Sequence, residues 1–257
     1  MGKYSGILLC SDLDGTLLNS RGEVSDENAQ AIRAFRAQGG TFCLSTGRLP
    51  AYLLQYSDKL DFDGLTICSN GSCIYDFASK QLVYARPIGG DIAALTAYLL
   101  EHTAHIMRMV LFTGLDSAAF EHVSEDAARI YDTVQKPVYK IVMRIDEERN
   151  ALTLKHKLKE QFGDAFNFSR SWDTGLEILD PEATKGHTVR RLRSMVGGIE
   201  KVICVGDYEN DFTMLEAADI GCAVQNAVEA LKDRADRVIC SNDEHAIRYI
   251  VDHLDSL

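Results

Sequence analysis

Positive charge is scarce in this chain. Among 257 residues, 27 Lys and Arg stand against 38 Asp and Glu, for a formal net charge of −11 at pH 7. A surface this acidic gains nothing from a phosphate backbone, so nucleic acid is not an expected partner. No apolar run is long enough to span a bilayer, and the opening Met1-Gly2-Lys3-Tyr4-Ser5 has no leader pattern. No membrane partner is expected, and the expected location is cytoplasmic. There is no Cys-x-x-Cys pair, and the seven cysteines are an odd number. That argues against a zinc knuckle or a disulfide framework and for buried small hydrophobes in a reducing compartment. The seven histidines show no metal-ligand spacing. Internal repeats, low-complexity tracts and blocks of like charge are also missing.

The chain has an ordinary globular composition, 46% hydrophobic and 25% charged. Its length suits one large or two medium domains. Residues 7–10 are a continuous apolar run, as expected of a strand buried on both faces. Ser25 can cap a helix carrying Ala29, Ile32 and Phe35, which Gly39-Gly40 ends. Residues 41–44 and 65–68 read as two more strands of the same kind, with Pro50 opening a helix between them. From Lys185 onward strands and helices alternate again, which predicts a doubly wound parallel sheet. In the middle, strands come in adjacent pairs, which predicts an antiparallel α+β module. The expected architecture is α/β, a Rossmann-like core of residues 1–83 with 182–257, interrupted by an α+β cap of residues 84–181.

In an open parallel sheet, ligands bind beyond the carboxyl ends of the strands. Those ends carry Ser11-Asp12-Leu13-Asp14-Gly15-Thr16, Ser45-Thr46-Gly47-Arg48, Ser69-Asn70-Gly71 and Gly206-Asp207-Tyr208-Glu209-Asn210-Asp211. Asp12 and Asp14 share a face on an extended backbone. Two carboxylates so close repel unless a cation joins them or one is protonated. With Asp207 and Asp211 they form an oxygen-only donor set of the kind that suits Mg²⁺. Other readings stay open at single positions. Thr46-Gly47 could cap the next helix, Asn70-Gly71 could be a plain turn, and Arg48 could touch phosphate or pair with a helix carboxylate.

Taken in order, these stretches resemble the haloacid dehalogenase-like (HAD) phosphatases. Asp12-Leu13-Asp14-Gly15-Thr16 looks like that family's first motif and Thr46 its second. Lys185, in Glu182-Ala183-Thr184-Lys185-Gly186, looks like the third, and Gly206 to Asp211 the fourth. Asn70-Gly71, Asn226-Ala227 and the large insertion resemble the Cof-type subgroup. The resemblance implies a Mg²⁺-dependent phosphatase acting on a small phosphorylated metabolite through an aspartyl-phosphate. It implies Asp12 as nucleophile and Asp14 as acid and then base, with Thr46 and Lys185 on the phosphoryl group. Asp12, the Asp14 backbone carbonyl and Asp207 would hold the metal, with Asp211 behind them. Gly47, Arg48, Asn70 and Asn210 would complete the binding of substrate. The loop Ser171 to Gly175, with the single tryptophan Trp172, is a candidate for substrate contact.

Two other functions fit parts of this pattern. A sugar phosphomutase would share the core and a similar cap, but it must hold two phosphates, and Arg144 and Arg170 stand isolated in the insertion. A receiver-like switch would share the acidic pocket and the phosphorylated aspartate. It must preserve its acyl phosphate, which an acid at Asp14 opposes.

Overall fold

The computed structural model describes residues 2–62 and 64–257. Strand β1 (Ile7–Ser11) is almost wholly buried, as its apolar run requires. The chain then makes a wide turn at Leu13–Leu17, broken by extended angles at Asp14 and a φ of 79° at Gly15. Leu18 pairs with Val24 in a short antiparallel bridge before α1 (Asp26–Ala37) begins. The Ser25 side chain accepts the Asn28 N–H and starts that helix, whose buried face carries Ala29, Ile32 and Phe35. Strand β2 (Thr41–Leu44) comes next, then α2 (Pro50–Leu53), with proline in its first turn.

The third apolar run departs from expectation. Strand β3 (Leu65–Cys68) forms a three-stranded sheet with β4 (Cys73–Asp76) and β5 (Gln81–Ala85). It pairs antiparallel with β4, and it meets the parallel sheet only through a bridge between Ser45 and Ile67. Its neighbour in sequence is four residues away, and a hairpin closes more easily than a second long parallel ladder.

The inserted segment forms α3 (Ile92–Glu101), β6 (Ile106–Thr113), β7 (Asp116–Phe120), α4 (Ala127–Thr133), β8 (Lys140–Ile145), α5 (Glu148–Phe162), β9 (Asn167–Ser169) and β10 (Gly175–Leu179). Its sheet runs β7-β6-β8-β10-β9 and is antiparallel throughout. One face of that sheet supplies an apolar core of Met109, Leu111, Ile141, Met143, Leu176 and Ile178, joined by Leu95, Leu99, Leu154 and Leu158 of the helices. Strand β7 and helix α4 have no clear sequence signal. Asp116-Ser117-Ala118-Ala119-Phe120 lacks the β-branched residues that mark strands, and α4 is only two turns long.

Beyond it come α6 (Lys185–Val196), β11 (Lys201–Gly206), α7 (Phe212–Glu216), β12 (Ile220–Ala223), α8 (Glu229–Lys232), β13 (Arg237–Val238) and α9 (Ala246–Asp252). The five-stranded sheet has the order β13-β12-β11-β1-β2 and is parallel throughout. The fold is therefore α/β, a parallel core sheet with an additional antiparallel one. Two compact units result. One holds the residues up to Val83 and again from Lys185, and the other is Tyr84–Thr184.

The order of strands locates the chemistry. The chain leaves β1 toward β2 on one side and returns to β11 on the other, so the carboxyl ends of β1 and β11 flank a topological switch point. Asp12 lies just past β1 and Asp207 just past β11. Among the described residues no helix is long and apolar enough to cross a membrane.

Candidate active site

The Asp12 N–H donates to the Val205 carbonyl at 2.9 Å, which extends the ladder just past β1 and fixes the carboxylate at the sheet end. Asp12 is 5% exposed. Lys185, the first residue of α6, is fully buried and donates to Asp12 Oδ1 and to Asp211 Oδ1, the latter at 2.6 Å. Helix α6 reaches this position because Gly186 lies against α7. A Cβ on Gly186 would come within 1.9 Å of the Thr213 carbonyl oxygen.

Asp211 is held from both sides. Its Oδ2 accepts the backbone N–H groups of Asp207 at 3.0 Å and Tyr208 at 3.3 Å, and it has no exposure. Asp207 is half-buried and accepts the Thr16 hydroxyl at 3.2 Å. Gly15 permits this approach, because a Cβ there would sit 2.4 Å from Asp207 Oδ2. The Gly15 carbonyl in turn accepts Asn226 Nδ2 at 2.8 Å. The turn after β1 is thus tied to the loop after β12.

Asp14 leaves the cluster. Its carboxylate receives a two-pronged bond from Arg48, at 3.0 Å from Nε and 2.9 Å from Nη2. Both side chains are nearly half exposed, 46% for Asp14 and 44% for Arg48. The guanidinium also lies 4.3 Å from the centre of the Tyr52 ring. The sequence leaves Arg48 between phosphate and a helix carboxylate, and its partner here is Asp14.

Thr46 is buried. Its N–H donates to Ile67, its carbonyl accepts the Asn70 N–H, and its hydroxyl accepts the Arg48 N–H at 3.2 Å. Asn70 sits at φ 56° in a left-handed run from Ser69 to Gly71, a conformation that asparagine and glycine tolerate. Its Oδ1 accepts Asn210 Nδ2 at 3.2 Å, and it leaves only 3.1 Å for a Cβ on Gly47. Asp12, Lys185, Asp207 and Asp211 are therefore one contiguous cluster. Thr46, Gly47, Asn70 and Asn210 form a second, adjoining chain of contacts, and Asp14 with Arg48 forms a third. Trp172 belongs to the inserted unit and packs on Gly175, where a Cβ would lie 2.4 Å from its ring.

Three participants carry little or no sequence signal. Only its place in a motif marks Thr16, yet its hydroxyl orients Asp207. Ser45 and Ser69 are buried hydroxyls without a hydrogen-bond partner, at the ends of β2 and β3. Buried hydroxyls are rarely left so, and a site that receives an oxygen-rich ligand is one place where they are.

Charge in the first cluster does not balance. Three carboxylates, whose oxygens lie within 4.8 Å of one another, share one ammonium. Burial pushes the Asp12 carboxyl well above its ordinary range. Lys185 draws it down, and Asp211, Asp207 and Asp14 push it up again. Burial, then Asp211, drive Asp207 up to about 7, against the pull of Lys185. Burial works against the Lys185 ammonium, but Asp12 and Asp211 more than offset it and hold its pKa above the ordinary value. Surplus negative charge on hard oxygens is the donor chemistry that a small divalent cation satisfies, and these residues fit one.

This imbalance makes stability depend on pH. In the cation-free fold Asp207 keeps a proton up to about 7, whereas the unfolded carboxyl loses it near 3.8. The folded state then binds more protons in that window, so its stability falls as pH rises through it and the penalty is complete above about 7. A divalent cation removes the penalty. Mg²⁺ is expected to raise the Tm more at pH 8 than at pH 5.5, and its apparent affinity should weaken as pH falls through about 7. Equal Tm shifts at both pH values would place the cation elsewhere.

The family model for haloacid dehalogenase-like hydrolases matches residues 9–251. The chain belongs to that family. Within it the chain is a Cof-type hydrolase, and it is a phosphatase by class. It is similar to YxeH of Bacillus subtilis (strain 168), 30% identical over 96% of this chain and 97% of that protein. It is also similar to the pyridoxal phosphate phosphatase YbhA of Escherichia coli (strain K12), 27% identical over 96% of this chain and 98% of that one. A solved haloacid dehalogenase-like hydrolase from B. subtilis matches with a TM-score of 0.81 at 26% identity, over 96% of this chain and 99% of the other. In such hydrolases a metal ion is usual, and the cluster of Asp12, Asp207 and Asp211 is where this chain could hold one.

Proposed function

We propose that this phosphatase hydrolyses small, soluble phosphate monoesters by transferring the phosphoryl group to Asp12 and then to water. The observation that carries the proposal is the fully buried Lys185, bonded at once to Asp12 and Asp211. A buried ammonium beside a buried carboxylate neutralises charge where a phosphoryl oxygen would enter. Asp12 and Asp207, with the Asp14 backbone carbonyl, would hold Mg²⁺, and Asp211 would stand behind them. Bound there, the cation offsets the charge of the phosphoryl oxygens.

The chain's own residues would act in two stages. An Asp12 carboxylate oxygen attacks phosphorus, and the bond to the ester oxygen breaks. Asp14 gives its proton to that oxygen, and the alcohol leaves. Asp14, now a carboxylate, takes a proton from a water molecule. The water attacks the aspartyl-phosphate at phosphorus, and inorganic phosphate departs with Asp12 restored. Thr46, Gly47 and Asn70 would receive the phosphoryl oxygens, with Asn210 steadying Asn70. Arg48 holds the Asp14 carboxylate in a two-pronged ion pair outside the buried cluster, so Asp14 would have to leave that pair and take up a proton before it acts as the acid.

Pyridoxal phosphate is the named substrate of one relative, and we include it with sugar phosphates as a candidate. The inserted unit, residues 84–181 in our reading of the sequence, is our candidate for the element that selects the leaving group, Trp172 among its residues. Release of free phosphate from a panel of monoesters tests the reading, run with and without Mg²⁺. Release that needs Mg²⁺ is expected. Transfer between two positions of one sugar without free phosphate would establish a mutase instead.

A further inference from the structure

Two cations stand at the site, and they are placed differently. Lys185 is fully buried and committed to Asp12 and Asp211. Arg48 is nearly half exposed and committed to the Asp14 carboxylate, which is exposed to the same degree. The proposed chemistry needs Asp14 at the ester oxygen, so the Arg48–Asp14 pair has to part. What holds each member decides which of them moves.

Arg48 is held independently of Asp14. Its N–H donates to the Thr46 hydroxyl at 3.2 Å, and its carbonyl accepts the Ser69 N–H at 3.1 Å. Its guanidinium carbon lies 4.3 Å from the centre of the Tyr52 ring. That ring meets Tyr56 nearly edge-on, with centroids 6.3 Å apart and planes at 64°. A guanidinium stacked on an aromatic face keeps a seat when its anion leaves. The Asp14 side chain has no second support. Arg48 is its hydrogen-bond partner, and it has no other among the described residues. Its backbone, at φ −76° and ψ 122°, lies in the broken turn after β1. Asp14 is therefore the mobile member and Arg48 the fixed one.

The seat that Asp14 vacates has a defined shape. Nε and Nη2 of Arg48 donate side by side to two oxygens of one carboxylate, at 3.0 and 2.9 Å. Such a fork matches a planar carboxylate, and a single hydroxyl cannot reproduce the match. Both side chains are open to solvent, so a ligand can reach the fork without displacing the fold. In the proposed mechanism the ester oxygen comes to Asp14, which brings the leaving group beside this fork.

We infer that Arg48 is a receptor for a carboxylate on the leaving group, and that the enzyme favours phosphate monoesters of hydroxy acids. The substrate carboxylate replaces the Asp14 carboxylate on Nε and Nη2, and Asp14 is released toward the ester oxygen. One carboxylate is exchanged for another, so no covalent bond changes and the guanidinium begins and ends paired. An ester without a carboxylate must break the same pair and leaves the guanidinium without an anion in return. The preference rests on Asp14 acting as the acid of the phosphatase reading.

Two pairs of probes test it, each pair differing by a carboxylate or a hydroxymethyl group at one carbon. They are 3-phosphoglycerate against glycerol 3-phosphate, and 2-phosphoglycerate against glycerol 2-phosphate. kcat/KM for phosphate release is measured with Mg²⁺ present and otherwise at low ionic strength, because salt screens an exposed ion pair. In at least one pair the carboxylate member should be favoured by about 10-fold or more, the gain expected of a hydrogen bond to a charged group. Arg48→Lys keeps the charge but not the fork, and should narrow that preference to about two-fold or less. Equal rates within both pairs, faster release from the glycerol phosphates, or a preference that persists in Arg48→Lys overturns the inference and leaves the phosphatase reading standing. Failure to hydrolyse all four, where other monoesters are hydrolysed, does the same. No release from any monoester removes the phosphatase reading as well. Should Arg48→Lys not fold, the wild-type comparison still decides, since equal rates there are enough to overturn the inference.

Discussion

Asp12→Asn is expected to lower phosphate release by at least about 10⁴-fold, with the fold intact, because an amide cannot serve as the nucleophile. The same substitution should raise the Tm of the cation-free protein. Asp12, Asp207 and Asp211 share the single Lys185 ammonium, and Asp12 is 5% exposed. Removing one of three crowded carboxylates relieves repulsion, while an Asn oxygen can still accept from Lys185. The gain should shrink when Mg²⁺ is added, since the cation has then already offset the surplus. Two assays therefore check one residue: phosphate release, and melting with and without chelator at pH 8. Unchanged release would assign the attack to another carboxylate. An unchanged Tm would mean that Asp12 is already neutral in the free protein.

Much of this site is legible in the sequence because it rests on backbone geometry. Apolar runs such as Leu8-Leu9-Cys10 and Val202-Ile203-Cys204-Val205 read as strands buried on both faces, and the residues just past such a strand lie at the ligand-binding end of the sheet. Asp12 and Asp207 are visible in that way. Lys185 is not, since a lysine opening a helix reads as a surface residue. Only the order of motifs draws attention to it. Its burial depends on the close contact of Gly186 with Thr213, which joins residues 27 positions apart and has no periodicity to reveal it. The partnership of Arg48 with Asp14 is hidden for the same reason. The placing of β3 in an antiparallel sheet escapes a sequence reading because a buried strand reads alike in either kind of ladder.

Lys185→Met is the more destructive substitution, and its effect separates the site's stability from its chemistry. Asp211 has no exposure, and the ammonium is the partner of its Oδ1, while Oδ2 stays bonded to the Asp207 and Tyr208 N–H groups. Removing one partner of a buried ion pair costs about 3–5 kcal/mol, because the other charge stays behind. For a chain of this size that corresponds to a loss of roughly 10 °C in Tm. Phosphate release should fall to background at the same time. Lys185→Met combined with Asp211→Asn discriminates between the two losses. The asparagine oxygen still accepts from the two backbone N–H groups, and of the two carboxylates that Lys185 bonds only Asp12 is left without its ammonium, so part of the stability should return. Activity should not, because the phosphoryl oxygens still lack their buried cation. Recovery of both in the double variant would make Lys185 only a counter-ion for Asp211. Recovery of neither would show that α6 depends on the lysine for its seat against α7.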